Sequence, residues 1–174
     1  MEVIFIKDLR GQGKKGDIKD VKTGYAENYL IKNGYAVLKT KDSLRQLEKE
    51  NKEKKAKDLE EYTEREKLLT SVETIGSIAI TKGSPYTLYR REDIAKVADT
   101  LLYFNNIEAS FVIAKLSKDE IGISARSLGE FDINQILSNF KGGGDAYHGA
   151  ATIKEDKISK VHDKLKKIIE EEVK

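Results

Sequence analysis

The chain has 174 residues, a formal net charge of +2 and no cysteine, which excludes a disulfide framework and a thiolate metal site. Its length allows one domain or two small ones, and its content of charged residues, 36%, indicates a long solvated helix. Residues 1–20 carry charged side chains where a signal peptide would be apolar, and no apolar run reaches membrane-spanning length. We therefore expect a cytoplasmic protein without a membrane partner.

The charge is unevenly distributed along the chain. Residues 1–40 hold eight basic and five acidic side chains, whereas residues 41–70 hold nine of each. Residues 71–174 hold fifteen basic and sixteen acidic side chains. Only the first segment therefore favours a polyanionic partner.

The first forty residues alternate short apolar runs with turn signals. The run at residues 3–6 predicts a buried strand, and further strands are expected around 17–21 and 35–39. A short helix over residues 24–30 separates the last two strands. We predict a small head, residues 1–41, with a three-stranded antiparallel sheet whose open face needs a packed helix.

The stretch from Gly13 to Ala36 carries the features that point to a ligand. Gly13 and Gly16 bracket two lysines, and glycine lets backbone amides approach an anion closely. Tyr25 and Tyr29 follow on the short helix, and a basic loop beside presented aromatic rings is typical of RNA binding. The alternative interpretation is a Gly-Lys hairpin next to a core tyrosine pair.

Residues 1–40 resemble the N-terminal domain of the ninth protein of the bacterial large ribosomal subunit. The family pattern is filled without a gap by Gly13, Gly16, Val21, Gly24, Tyr25, Asn28, Tyr29, Leu30, Gly34 and Ala36. This resemblance implies a ribosome-associated protein whose partner is ribosomal RNA of the large subunit. The candidate RNA-binding residues are Arg10, Gly13, Lys14, Lys15, Gly16, Lys19, Gly24, Tyr25, Asn28, Tyr29 and Lys32.

The next segment, residues 42–73, predicts a connecting helix from Asp42 to about Leu69, because it lacks Gly and Pro and is rich in helix formers. Leu44 and Leu47 are expected to cover the sheet of the head, and Leu59, Tyr62 and Leu69 form an apolar stripe near the other end. Between Glu48 and Lys57 only Ala56 is apolar, which predicts a solvated middle stabilised by Glu–Lys pairs. A disordered charged linker is the alternative.

Residues 74–174 predict a separate compact α/β domain. The expected strands span Ile75–Thr81, Glu108–Leu116, Glu120–Ala125 and about Ala150–Ile153. Three helices are expected. The first spans about Glu92–Tyr103, and the second ends at Gly142 with Ile133, Ile136, Leu137 and Phe140 facing inward. The last helix has Ile158, Val161, Leu165, Ile168 and Ile169 facing inward.

Two features of this domain suggest anion binding. Ser124 and Arg126 end a strand with groups suited to clamp a phosphate. The segment from Lys141 to Gly144, with His148 nearby, predicts a flexible loop whose backbone amides surround an anion. The alternative is that the glycine run only terminates the preceding helix. His162 lies beside the apolar stripe of the last helix and is interpreted as packing.

The segment from about Ile94 to the C-terminus resembles the DHH-associated domain, the nucleotide- or nucleic-acid-gripping half of DHH-family phosphoesterases. The resemblance implies a candidate nucleotide site made of Ser124, Arg126, Gly142, Gly143, Gly144 and His148. The family usually has histidine after the glycines, whereas this chain has Asp145, so phosphate binding requires His148 to take over. The two-metal catalytic half is missing, so we expect no catalytic residue, no metal and no cofactor.

Three function classes follow. The favoured one is a structural protein of the large ribosomal subunit, which is not an enzyme. The second is a nucleotide or cyclic-dinucleotide binding module. The third is a non-catalytic, substrate-gripping subunit for a separate DHH-type catalytic partner. The chain could also be a fragment of a longer fusion, although Met1 followed directly by a strand favours a genuine N-terminus.

Overall fold

The computed structural model describes residues 1–174 as a mixed α+β chain, which confirms the predicted fold class. The strands are β1 (Glu2–Phe5), β2 (Ile18–Asp20), β3 (Ala36–Leu38), β4 (Glu73–Ile75), β5 (Ile78–Lys82), β6 (Ala109–Lys115), β7 (Glu120–Ser127), β8 (Gly143–Gly144) and β9 (His148–Lys154). The helices are α1 (Thr23–Tyr25), which continues as a π-helix over Ala26–Ile31, then α2 (Lys41–Thr70), α3 (Arg91–Leu101), α4 (Ile133–Ser138) and α5 (Ile158–Val173).

The chain divides into two compact units, Met1–Glu60 and Glu61–Lys174. The finer division into a head, a connecting helix and a C-terminal domain stays a prediction. None of the helices combines the length and the apolar character that crossing a membrane requires.

The first unit is built on an antiparallel sheet in the order β2-β1-β3. Side chains alternate along β1, so Val3 and Phe5 face the helical segment and are buried there with Leu30. Ile4 belongs to the opposite face and is buried too, beside the half-buried Leu47 of α2. The sheet is therefore covered on both faces, and each large apolar side chain removed from water contributes about 1.5–3 kcal/mol.

Helix α2 begins at a reciprocal cap and is solvated over most of its length. The Ser43 amide donates to Thr40 Oγ1 at 3.1 Å, and the Thr40 amide donates to Ser43 Oγ at 2.7 Å. Every residue from 48 to 60 is exposed, which confirms the predicted solvated middle, and the segment is helical rather than disordered.

Two details predicted for α2 are wrong. No Glu–Lys ion pair forms within residues 48–57, where the only ion pair joins Glu50 to Lys15 of the sheet. Of the predicted stripe, Leu59 and Tyr62 are exposed and only Leu69 is half-buried against the core, while the fully buried residue is Leu68, which was not predicted. The reason is a tertiary contact, because Leu68 packs against Ala79 of β5, and its carbonyl accepts a hydrogen bond of 2.7 Å from the Thr81 hydroxyl.

The second unit contains a six-stranded sheet in the order β4-β5-β6-β7-β9-β8, which is antiparallel except for the β5–β6 pair. The parallel pair is joined through α3, which packs on one face of the sheet together with the end of α2. Helices α4 and α5 pack on the other face, around Phe111, Ile123 and Leu165. The predicted helices and the β6–β7 hairpin are confirmed.

Two predicted segments of this unit are corrected. The strand predicted over Ile75–Thr81 is interrupted at Gly76, whose φ of +58° allows the chain to reverse between β4 and β5. Gly143 and Gly144 lie in strand β8, paired with Ala150 and Gly149, rather than in a flexible loop. Glycine is a poor strand former, so local sequence did not indicate β8, which forms only through its pairing with β9.

Candidate nucleic-acid interface and a second candidate site

In the lysine loop, defined here as residues 8–17, the backbone amides between the two glycines and at Gly16 are hydrogen-bonded within the protein. The Lys14 amide donates to Asp17 Oδ2 at 2.9 Å, and the Lys15 amide donates to Asp8 Oδ1 at 2.8 Å. The Gly16 amide donates to the Phe5 carbonyl at 2.7 Å. The amides of Lys14, Lys15 and Gly16 therefore already have acceptors inside the protein, which leaves the side chains of the two lysines for an anion.

The glycines of the lysine loop serve packing and turn geometry. A Cβ added at Gly13 would stand 3.0 Å from ring carbons of Phe5, so the loop lies directly against this core side chain. Gly16 has a φ of +95°, a backbone conformation that residues with a Cβ rarely adopt. By contrast, Gly24 has open space around it and no positive φ.

The cationic side chains of the first unit are mostly free to meet an anion. Arg10, Lys14 and Lys32 are exposed and form no ion pair, while the Lys19 ammonium donates to the Gln12 carbonyl. Lys15 is paired, with its Nζ 3.5 Å from Glu50 Oε2, and away from the loop Lys39 pairs with Glu2 and Arg45 with Asp42.

The carboxylates of the same segment are largely engaged. Glu2 pairs with Lys39 at 2.8 Å, and a hydrogen bond from the N-terminal ammonium lowers the pKa of Asp20. Asp8 and Asp17 accept the amides of the lysine loop. The surface that remains unpaired is therefore mainly cationic.

The aromatic residues form a stack of three tyrosine rings. The Tyr25 and Tyr29 ring centroids are 5.3 Å apart, and those of Tyr29 and Tyr35 are 5.9 Å apart. Tyr29 is 42% exposed, so packing within the head leaves part of its ring open to a partner. Sequence reasoning missed Tyr35, which the turn at Gly34 brings back beside the helix. Asn28 is used locally, with its side-chain amide donating to the Gly24 carbonyl at 3.0 Å.

A pocket in the second unit gathers most of the predicted nucleotide-binding residues. Its cavity volume is about 330 Å³. The predicted residues that line it are Ser124, Arg126, Gly143, Gly144 and His148, whereas Gly142 does not. Arg91 at the start of α3 also lines the pocket, and its guanidinium donates to the Thr152 hydroxyl. Sequence reasoning missed Arg91, since only tertiary packing brings it to this sheet face.

Arg126 is not a free cation in this pocket. Its Nε donates to Asp99 Oδ1 at 2.5 Å, and its Nη1 donates to the Ser124 hydroxyl at 3.3 Å and to the Ala125 carbonyl at 2.9 Å. An anion in the pocket must therefore compete with the Asp99 carboxylate for this guanidinium. The Asp99 contact was not foreseen from sequence.

Asp145 closes the turn between β8 and β9 and does not line the pocket. Its Oδ1 accepts hydrogen bonds of 2.7 Å from both the Tyr147 and His148 amides, and these bonds lower the pKa of Asp145. Gly142 permits the close approach of the strands, because a Cβ there would stand 2.5 Å from the Ala150 carbonyl oxygen. The acidic residue thus has a structural partner, and His148 is the residue that faces the pocket.

The other histidine, His162, is buried in α5. Its ring nitrogens lie 3.2 Å from Asp163 Oδ1 and 3.6 Å from Glu73 Oε1. No group of three or more His, Asp or Glu side chains is arranged to hold a metal ion. The buried His162 ring thus has a packing role in α5 and contacts Glu73 of β4.

Comparison with known proteins identifies both parts of the chain. The family model for the N-terminal domain of ribosomal protein L9 matches residues 1–47, and the DHHA1 domain model matches residues 84–171. The large ribosomal subunit protein bL9 of Enterococcus faecalis is 37% identical over 134 residues, which cover 74% of this chain and 85% of that protein. The chain belongs to the bL9 family.

Another bL9 relative, from Staphylococcus haemolyticus, is 40% identical over 102 residues, which cover 58% of this chain and 69% of the relative. Both bL9 alignments are longer than the 47 residues that the N-terminal domain model matches. Among solved structures, the C-Ala domain of Aquifex aeolicus alanyl-tRNA synthetase has 18% identity and a TM-score of 0.46, covering 57% of this chain and 97% of that chain.

Proposed function

We propose that this bL9-family chain is a structural component of the large ribosomal subunit and binds ribosomal RNA through its first unit. Membership of the family is the observation that carries the proposal. The cationic surface of Arg10, Lys14 and Lys32 supports it, because the neighbouring carboxylates are engaged inside the protein. In this proposal the protein acts on the ribosome in the cytoplasm.

The proposed binding is electrostatic and aromatic. Arg10, Lys14 and Lys15 neutralise phosphates and release counterions, while Lys19 and Lys32 flank the contact. The exposed part of the tyrosine stack meets an unstacked base or a sugar. Gly13, Gly16, Gly24 and Asn28 shape the loop and the short helix that present these groups.

A salt titration of RNA binding tests the proposal. The full chain should bind large-subunit ribosomal RNA, and the double variant Lys14→Ala/Lys15→Ala should bind more weakly. Its plot of log affinity against log salt should be shallower by about 0.7–0.9 for each phosphate that the variant no longer neutralises. The control is Lys118→Ala/Lys167→Ala, two exposed lysines of the second unit without ion pairs. No binding by the full chain would refute the proposal, and an unchanged slope would exclude these two lysines.

The pocket of the second unit supports a second candidate function, the binding of a nucleotide or cyclic dinucleotide. Arg91, Arg126 and His148 converge there with a serine hydroxyl, which suits a phosphate group. Titration calorimetry of the full chain with nucleoside monophosphates and cyclic dinucleotides should then give a heat of binding that Arg126→Gln abolishes. If none of these ligands gives a heat of binding, the pocket does not bind nucleotides and this candidate function is refuted.

A third candidate is that the second unit grips a substrate for a separate DHH-type catalytic chain. We propose that the chain alone hydrolyses nothing, since it has no cluster of side chains suited to the two-metal chemistry of such enzymes. Phosphodiester cleavage by the purified chain would contradict this, and a pull-down without a metal-binding partner would remove the candidate.

A further inference from the structure

A groove of about 670 Å³ runs through the first unit between the lysine loop and one side of α2. At one end Leu47 lies against Gly16, with its Cδ1 3.8 Å from where a Cβ would stand. Beside it, the Lys15–Glu50 ion pair connects the loop to the helix. Lys54 and Lys57 line the groove further along α2. The groove is thus continuous with the lysine loop.

Helix geometry places the two lysines in line with the loop contacts. Residues 47, 50, 54 and 57 follow steps of three and four, which keeps them on one face of an α-helix. At 1.5 Å per residue, Lys54 and Lys57 stand about 6 and 10 Å beyond Glu50 along the axis. Both side chains are exposed, and neither forms an ion pair or a hydrogen bond.

The carboxylates of the groove do not cancel these charges equally. Glu50 pairs with the Lys15 ammonium, so these two charges offset each other, whereas Asp8 accepts only the uncharged Lys15 amide at 2.8 Å and keeps its negative charge. Glu53 is the groove carboxylate without a partner. A polyanion in the groove would therefore be attracted by Lys54 and Lys57 and repelled by Glu53 and, at the loop end, by Asp8.

We propose that the groove holds a stretch of RNA phosphate backbone, so that Lys54 and Lys57 extend the RNA-binding surface from the lysine loop along α2. This inference rests on the proposed binding of ribosomal RNA by the first unit. Ammonium groups spaced along a helix face fit a repeated phosphate charge and require no base recognition. Leu47 closes the groove at the head, so the backbone runs from the loop outward along the helix.

Matched charge variants of the full chain test the groove. Lys54→Gln/Lys57→Gln should weaken binding to large-subunit ribosomal RNA and lower the salt slope by about 0.7–0.9 per lysine. Lys52→Gln/Lys55→Gln makes the same charge change on the opposite side of the helix and should leave the slope unchanged. Glu53→Gln should tighten binding, whereas Glu48→Gln on the far side should not. Circular dichroism checks that the helix is retained.

The outcomes separate this inference from the proposed function. If the full chain does not bind the RNA, both are overturned. If Lys14→Ala/Lys15→Ala weakens RNA binding but Lys54→Gln/Lys57→Gln and Lys52→Gln/Lys55→Gln give the same affinity and salt slope, only the proposed groove is overturned. Because the chain has no cysteine, Asn51→Cys in the groove and Ala56→Cys on the other side can each carry a tethered RNA-cleaving iron chelate. Stronger cleavage from position 51 is expected, and equal cleavage contradicts the groove.

Discussion

Single side chains decide what each candidate site can offer to an anion. In the lysine loop the carboxylates of Asp8 and Asp17 hold the amides, which leaves the ammonium groups to meet a partner. In the second unit Asp99 holds Arg126, so an anion there gains less than an isolated guanidinium would give. The first site is therefore the stronger candidate for a polyanion.

The glycines of the first unit differ in what a methyl group would meet. Gly13→Ala places a Cβ 3.0 Å from the Phe5 ring, so we expect a loss of about 1–3 kcal/mol in the free energy of unfolding of this unit. Gly24→Ala meets open space within α1 and should stabilise the unit by about 0.4–1 kcal/mol. Hydrogen exchange of β1 amides in the full chain measures both. Equal effects would mean that the Phe5 contact is unimportant.

At the scale of elements, an ion cluster connects the end of α2 to α3. Arg65 contacts the buried Asp93 at 3.1 Å, and Arg90 contacts Asp93 at 2.9 Å and Glu61 at 2.8 Å. Burial acts to raise the pKa of Asp93, but hydrogen bonds from Arg90 and Arg65 outweigh it and hold the pKa below its usual value. The carboxylate therefore stabilises the second unit in its ionised form.

The pH dependence of stability follows from this lowered pKa. The contribution of Asp93 is fully present above its ordinary pKa of 3.8 and is lost as the pH falls through the lower folded value. Asp93→Asn should lower the free energy of unfolding by about 1–3 kcal/mol at pH 7. The free energy of unfolding of this variant should then fall less steeply in acid than that of the unchanged chain. Denaturant unfolding at several pH values measures this, with Asp119→Asn, an exposed and unpaired carboxylate, as the control. An unchanged acid decline would contradict the assigned role of Asp93.

At the scale of the whole molecule, each unit has its own core, and the stretch from 48 to 60 buries nothing. A helix without tertiary contacts opens locally at low free energy. We expect limited proteolysis to cut first between residues 48 and 60 and to release two folded fragments. Mass spectrometry of the early products identifies the cut, and first cleavage within either sheet would contradict this expectation.

Local pattern was sufficient for most elements and for both family resemblances. Apolar periodicity indicated the three strands of the head, α3, α4 and α5, because the side chains that face a core must repeat with the period of the element. It failed at β4 and β8, where a positive φ at Gly76 and a pairing of glycines carry no hydrophobic signal. It also misplaced the apolar stripe of α2, since several faces of that helix were compatible with burial.

The sequence by itself determined that a basic, glycine-rich head precedes a solvated helix and a separate α/β unit, because composition and periodicity act through near neighbours. Only the tertiary structure decided which charged groups remain available to bind an anion. The Glu50 carboxylate on the Lys15 ammonium, Asp99 on Arg126 and the groove of Lys54 and Lys57 beside the lysine loop all depend on contacts between residues far apart in sequence. Such contacts are set by the packing of whole elements, and that packing determines which charges meet solvent and which are neutralised inside the protein.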